Sequence, residues 1–181
     1  LLFCDDITNG ICGGMKMANG TNSIRSQPKF PGTRAKSAAM VRTLFTQAQD
    51  YMKKVEEAEN DTAKTAPPRD LRMEALMQIM NGERTVHFHT HRHDDVLTAI
   101  RLSKEFGFKV VLHHVSEAWK VADEIAAAGV PVSIIVIDSP GGKLEAMDLR
   151  NINGAALEEA GALVGFHTDD GITDSRFFKR S

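Results

Sequence analysis

The sequence predicts an α/β fold of parallel βα units, a partial TIM-type (β/α)8 barrel, and three observations carry that prediction. From residue 85 onward, four short β-prone runs alternate with amphipathic or capped helical segments. The third run, Val130–Ile137, is almost continuously apolar, as a strand buried on both faces is. Ionisable residues follow every strand: His89 and His91, His113 and His114, Asp138, then His167, Asp169 and Asp170. An open doubly wound sheet would also fit the alternation, but it gathers ligands at one switch point. Barrel strands all converge at their C-terminal ends on one site. A whole barrel takes about 250 residues, so this chain of 181 holds part of one.

The elements follow in order. Residues 1–33 are rich in Gly, Asn, Ser and Pro and read as irregular. Met40, Val41, Leu44, Phe45, Ala48, Tyr51, Met52 and Val55 recur at helical spacing and predict one long amphipathic helix. Glu56–Arg69 is charged, ends at Pro67-Pro68, and reads as a solvated loop. Asp70 is an N-cap for a short helix that Gly82 stops. Thr85–Thr90 is the first strand of the regular half, Asp94–Phe106 a helix ended by Gly107, and Lys109–His113 the second strand. Ser116 caps a helix running to Ala128. Ser139–Lys143 is a Pro-Gly-Gly loop, Asn151–Ala160 a helix, and Ala162–His167 the fourth strand. The division is therefore one domain, 1–181, with residues 1–84 irregular and helical and four βα units in 85–170.

Composition bounds the function. A net charge of −2 points to neither nucleic acid nor an anionic membrane, and no apolar run has the roughly 18 residues of a membrane helix. Cys4 and Cys12 make no disulfide framework, which leaves a reducing, cytoplasmic setting as the expectation. The chain opens Leu1-Leu2-Phe3 and not at methionine, so either a segment was removed or this is a piece of a longer protein.

Imidazoles and carboxylates at strand ends suit a divalent metal in a hydrolytic site. Such a metal acidifies water and polarises a carbonyl, and a neighbouring carboxylate takes the proton. His87 and His89 share a face, with His87 deeper and structural. His91 and His93 lie past the strand and read as loop residues or substrate contacts. His113 and His114 should point to opposite faces, so one of them enters the barrel. Asp94 and Asp95 read as helix-start charges, Trp119 as packing, and Asp170 as a partner of Asp169.

Several stretches carry a resemblance: Met15-Lys16-Met17-Ala18-Asn19-Gly20-Thr21-Asn22, Pro31-Gly32-Thr33-Arg34, His89-Thr90-His91-Arg92-His93-Asp94-Asp95, Leu112-His113-His114 and Thr168-Asp169. They are similar to the latter part of the barrel in the amidohydrolase superfamily, and within it to imidazolonepropionase-related metal-dependent hydrolases. The resemblance implies hydrolysis of an amide-like C–N bond in a cyclic or linear small molecule. It implies one or two divalent ions, zinc first among them, held by His89, His114, Asp169 and Lys16, with Asp169 handling protons. Lys16 stands in the family's fourth-strand region, where some members carry a carboxylated lysine that bridges two metals. Two departures stand out. Relatives often read Gly-Glu-Asn at Gly20-Thr21-Asn22, and the first-strand His-x-His pair is absent. A non-catalytic remnant and an open-sheet small-molecule binder are the rival readings. Exposed strand edges imply that copies could associate.

Overall fold

The computed structural model describes residues 13–24, 30–135, 143–167 and 169. Cys4, Cys12, Asp138, Pro140-Gly141-Gly142, Thr168 and Asp170 lie outside the described residues. In chain order the elements are β1 (Met15–Ala18), α1 (Thr21–Ile24), α2 (Arg34–Asn60), α3 (Leu71–Met80), β2 (Val86–Thr90), α4 (His93–Phe106), β3 (Val110–His114), α5 (Ala122–Ala128), β4 (Val132–Ile135), α6 (Ile152–Glu159) and β5 (Val164–His167). All neighbouring strands are parallel, and their order is β1-β2-β3-β4-β5. Sequential order with no reversal is barrel topology; a doubly wound sheet reverses at its switch point. The fold is a partial TIM-type barrel.

The outer face of the sheet is apolar by strict alternation. Val86 and Phe88, Val110 and Leu112, and Val132 and Ile134 join one core with Val96, Ala99, Leu102 and Phe106 of α4, Ile125 of α5 and Leu157 of α6. Helix α2 closes this layer with Phe45, which stacks on Phe106 and Phe108 at centroid distances of 4.9 and 5.1 Å. Burying a phenylalanine of this kind stabilises the fold by about 1.5–3 kcal/mol. The caps act where the sequence places them. Asp70 accepts from the backbone N–H groups of Arg72 and Met73, and Gly107 ends α4 at φ 72°.

Three segments differ from the sequence expectation. The stretch 1–33 is not wholly irregular: β1 pairs with β2 from Met15↔Val86 to Ala18↔His89, so the sheet has five strands and not four. Helix α2 runs on to Asn60, into the charged segment expected to be loop. Lys and Glu are good helix formers, and a charged run can be a solvated helical face as well as a loop. Ser116 caps no helix; it is buried, and α5 starts at Ala122 after a 3-10 turn at Ala118–Lys120.

No described helix is long and apolar enough to cross a membrane. β1 and β5 each have one unpaired edge in the described sheet, and Leu144, Met147, Leu163 and Phe166 stand exposed around β5 and α6. An expected outcome follows from the untested idea of self-association: sedimentation should show mass rising with concentration, and a Phe166→Lys variant should stay monomeric. A constant monomer mass for the parent chain would end it.

Candidate metal centre

Because Met15 and Met17 pack on the core, the intervening Lys16 faces the opposite, inner side of the sheet. Its strand-mates there are His87 and His89 of β2, His113 of β3, Ser133 of β4 and His167 of β5. The inner face is thus lined with imidazole. His87 Nδ1 lies 2.9 Å from His113 Nε2, and His167 Nε2 lies 2.9 Å from His114 Nδ1. His89 and His114 meet ring to ring with centroids 4.3 Å apart.

His113 and His114 do not divide between the two faces. His114 adopts φ 74° and Val115 φ 37°, left-handed values that turn the His114 ring inward beside His89 and His167. The turn is held from both sides: Val115 N–H donates to Thr90 O at 2.9 Å, and Asn153 Nδ2 donates to Val115 O at 3.1 Å. Strained backbone pinned by neighbours is a feature of functional sites. Asp169, at φ 55°, stands at the rim with its Oδ2 3.9 Å from His114 Nδ1.

His91 lies just past β2, outside any helix or strand as expected, but it is buried. It is 5% exposed, Ser116 Oγ lies 2.8 Å from its Nδ1, and its Nε2 is a buried nitrogen without a hydrogen-bond partner. His93, by contrast, opens α4 and pairs with Glu117.

A carboxylate that sequence reasoning missed completes the arrangement. Glu145, in the 3-10 turn after β4, is 6% exposed. Its Oε2 accepts from Thr21 N–H (2.9 Å) and Arg34 Nη2 (3.1 Å), and its Oε1 accepts from Thr21 Oγ1 (2.6 Å). Arg34 also donates to Asp95 at 2.7 Å, so Asp95 is an ion-pair partner in addition to a helix-start charge. His89, His91 and Glu145 each offer a ligand atom within 4.8 Å of the others. The set His89, His114, Asp169 and Lys16 shares His89 with it and lies along the same inner face.

The electrostatics keep the imidazoles neutral. Burial pushes His89 down to about 3, His91 to about 4, His113 to about 4 and His114 to about 2. Neighbouring histidines, Lys16 and Lys143 add to the effect at His89. Neutral imidazole is the form that ligates metal. The residues fit a divalent cation on their own chemistry. Two nitrogens and a carboxylate oxygen are a usual set for one, and His91 Nε2 is an orphan acceptor already oriented from behind by Ser116. The Lys143 ammonium now sits 3.3 Å from His89 Nε2, where a ligated ion would have to replace it.

No family model matches the chain, and no curated protein matches it. A crystal structure of an amidohydrolase from Thermotoga maritima MSB8 is similar, with a TM-score of 0.83 and 34% identity. The similarity covers 91% of this chain and 44% of that one, so the chain spans less than half the length of its neighbour.

Proposed function

The chain is a relative of the amidohydrolase superfamily, of whose TIM-type barrel it holds a part, and on that premise we propose that it carries the metal centre of a hydrolase acting on amide-like C–N bonds of a small molecule. The observation that carries this reading is the buried, unpartnered His91 Nε2 facing His89 and the Glu145 carboxylate. His89, His91 and Glu145 would hold one divalent cation, zinc by the chemistry of the donors. His114, whose ring meets that of His89, would offer a further nitrogen to that cation, and Asp169 and Lys16 line the adjoining wall, where a second ion or the substrate would sit. When bound, the cation supplies Lewis acidity towards the carbonyl and makes water acidic near neutral pH.

The chain's own residues do the rest. The exposed Asp169 can reach both solvent and the His114 wall. It takes a proton from the attacking water as the C–O bond forms, and returns it to the nitrogen as the C–N bond breaks. Glu145 is held in its cradle of Thr21 and Arg34. Lys143 is free to turn from His89 to an anionic or carbonyl oxygen of the substrate once its present partner is engaged.

Elemental analysis of the purified chain tests the metal. About one zinc per chain is expected, lost in a His89→Ala/His91→Ala variant whose circular dichroism is unchanged. A chain that takes up no zinc at saturating concentration would overturn the reading. Turnover is tested separately on a panel of amides and lactams with Asp169→Asn as control. A second reading is a metal-binding unit without turnover. It predicts zinc uptake with no hydrolysis of any member of the panel.

A further inference from the structure

Two imidazoles can share a hydrogen bond only when one donates and the other accepts. His167 Nε2 lies 2.9 Å from His114 Nδ1, and His167 Nδ1 lies 2.8 Å from Ser133 Oγ. This three-membered chain has two self-consistent proton arrangements. In the first, Ser133 donates to His167 Nδ1, His167 Nε2–H donates to His114 Nδ1, and His114 keeps its own proton on Nε2. In the second, His114 Nδ1–H donates to His167 Nε2, His167 Nδ1–H donates to Ser133 Oγ, and His114 Nε2 carries a bare lone pair.

A serine hydroxyl can donate or accept, so the far end of the chain does not choose between them. The near end does. The Asp169 carboxylate stands 3.9 Å from His114 Nδ1, and negative charge favours the proton on that nitrogen. A matching arrangement occurs at His91, where Ser116 Oγ lies 2.8 Å from Nδ1 and Nε2 has no partner. We propose that His167, backed by Ser133 and biased by the Asp169 charge, is a positioning residue that accepts from His114 Nδ1–H and so holds His114 in its Nδ1–H tautomer, leaving His114 Nε2 to present a lone pair to a cation on the inner face. The use of that lone pair rests on the metal reading above; the tautomer itself does not.

The experiment takes the full chain, uniformly 15N-labelled and stripped with chelator, and records long-range 15N–1H imidazole correlations at neutral pH. His114 is expected to show a protonated Nδ1. In His167→Ala it should revert to the Nε2–H form, and in His167→Gln, whose side-chain carbonyl can accept from Nδ1–H, the Nδ1–H form should return. Zn2+ affinity, read by competition with a chromophoric chelator, should fall by on the order of 10–100-fold in His167→Ala and recover in His167→Gln. The melting temperature should follow neither change, which separates positioning from structural support. Should His167→Ala fail to fold, Ser133→Ala removes the far acceptor and should lower Zn2+ affinity in the same direction. An Nε2–H tautomer at His114 in the parent chain, or an unchanged tautomer in His167→Ala, overturns the proposal. If the parent chain shows Nδ1–H but takes up no Zn2+, the metal reading fails while the tautomer assignment stands.

Discussion

Replacing Arg34 with alanine should lower the free energy of unfolding by about 3–5 kcal/mol, the cost of leaving buried charge without its partner. Arg34 lies between two carboxylates, donating to Asp95 at 2.7 Å and to Glu145 at 3.1 Å. Both acids are nearly sealed, with side-chain exposures of 4% and 3%, whereas Arg34 itself is 32% exposed. Without it, two like charges face each other in a poorly solvated space. With a urea m-value of about 2 kcal/mol/M, the midpoint should drop by about 2 M. The pH dependence gives a second check. Burial raises the Asp95 carboxyl above its usual range, against the hydrogen bond from Arg34, which lowers it. A carboxyl with a raised folded pKa binds its proton more tightly folded than unfolded. Its ionisation therefore opposes folding at neutral pH, and that penalty is released as the pH falls through the folded pKa. Removing Arg34 raises Asp95 further. The deficit of Arg34→Ala should be largest near neutrality and narrow as the medium is acidified. A deficit below about 1 kcal/mol, or one that does not change with pH, would show that Arg34 does not hold these carboxylates.

How much of this was legible beforehand depends on the range of the interaction involved. The periodicity of α4, the Gly107 stop and the Asp70 cap are local, and the sequence displays them directly. Strand-end histidines are local too, but the residues alone left His113 and His114 open, and the resemblance picked out His89 and His114. β1 was hidden because Met15–Ala18 is only four residues without a β-branched side chain, and it becomes a strand only when β2 pairs with it. The inward turn of His114 breaks the alternation rule through two consecutive left-handed residues, His114 and Val115, that no local signal announces. Glu145 reaches Thr21 across 124 positions and Arg34 across 111. Its surroundings in sequence, an exposed Leu144 on one side and the Pro-Gly-Gly stretch before it, resemble an ordinary loop.

Gly20→Ala should cost about 2–4 kcal/mol and weaken Zn2+ binding in the same variant. The residue sits at φ 62°, where a Cβ is strained by roughly 1–2 kcal/mol before any contact is counted. An added Cβ would then lie 2.4 Å from Glu145 Oε2 and 3.0 Å from its Oε1. A flexible side chain would step aside, but this carboxylate is held by Thr21 N–H, Thr21 Oγ1 and Arg34 at once. Either the β1–α1 turn lifts away, breaking the two Thr21 bonds, or Glu145 moves out of reach of His89 and His91. The two routes separate in experiment. Thr21→Ala removes only the 2.6 Å hydroxyl bond, and should cost about 1.5–3 kcal/mol with a smaller loss of Zn2+ affinity. If Gly20→Ala is destabilised as expected but binds Zn2+ as tightly as the parent, the carboxylate is not a ligand. The cation would then lie on the His89, His114 and Asp169 wall instead. If stability and Zn2+ affinity fall together, the turn that carries Gly20 and Thr21 is part of the centre, positioning the one carboxylate that neither strand end supplies.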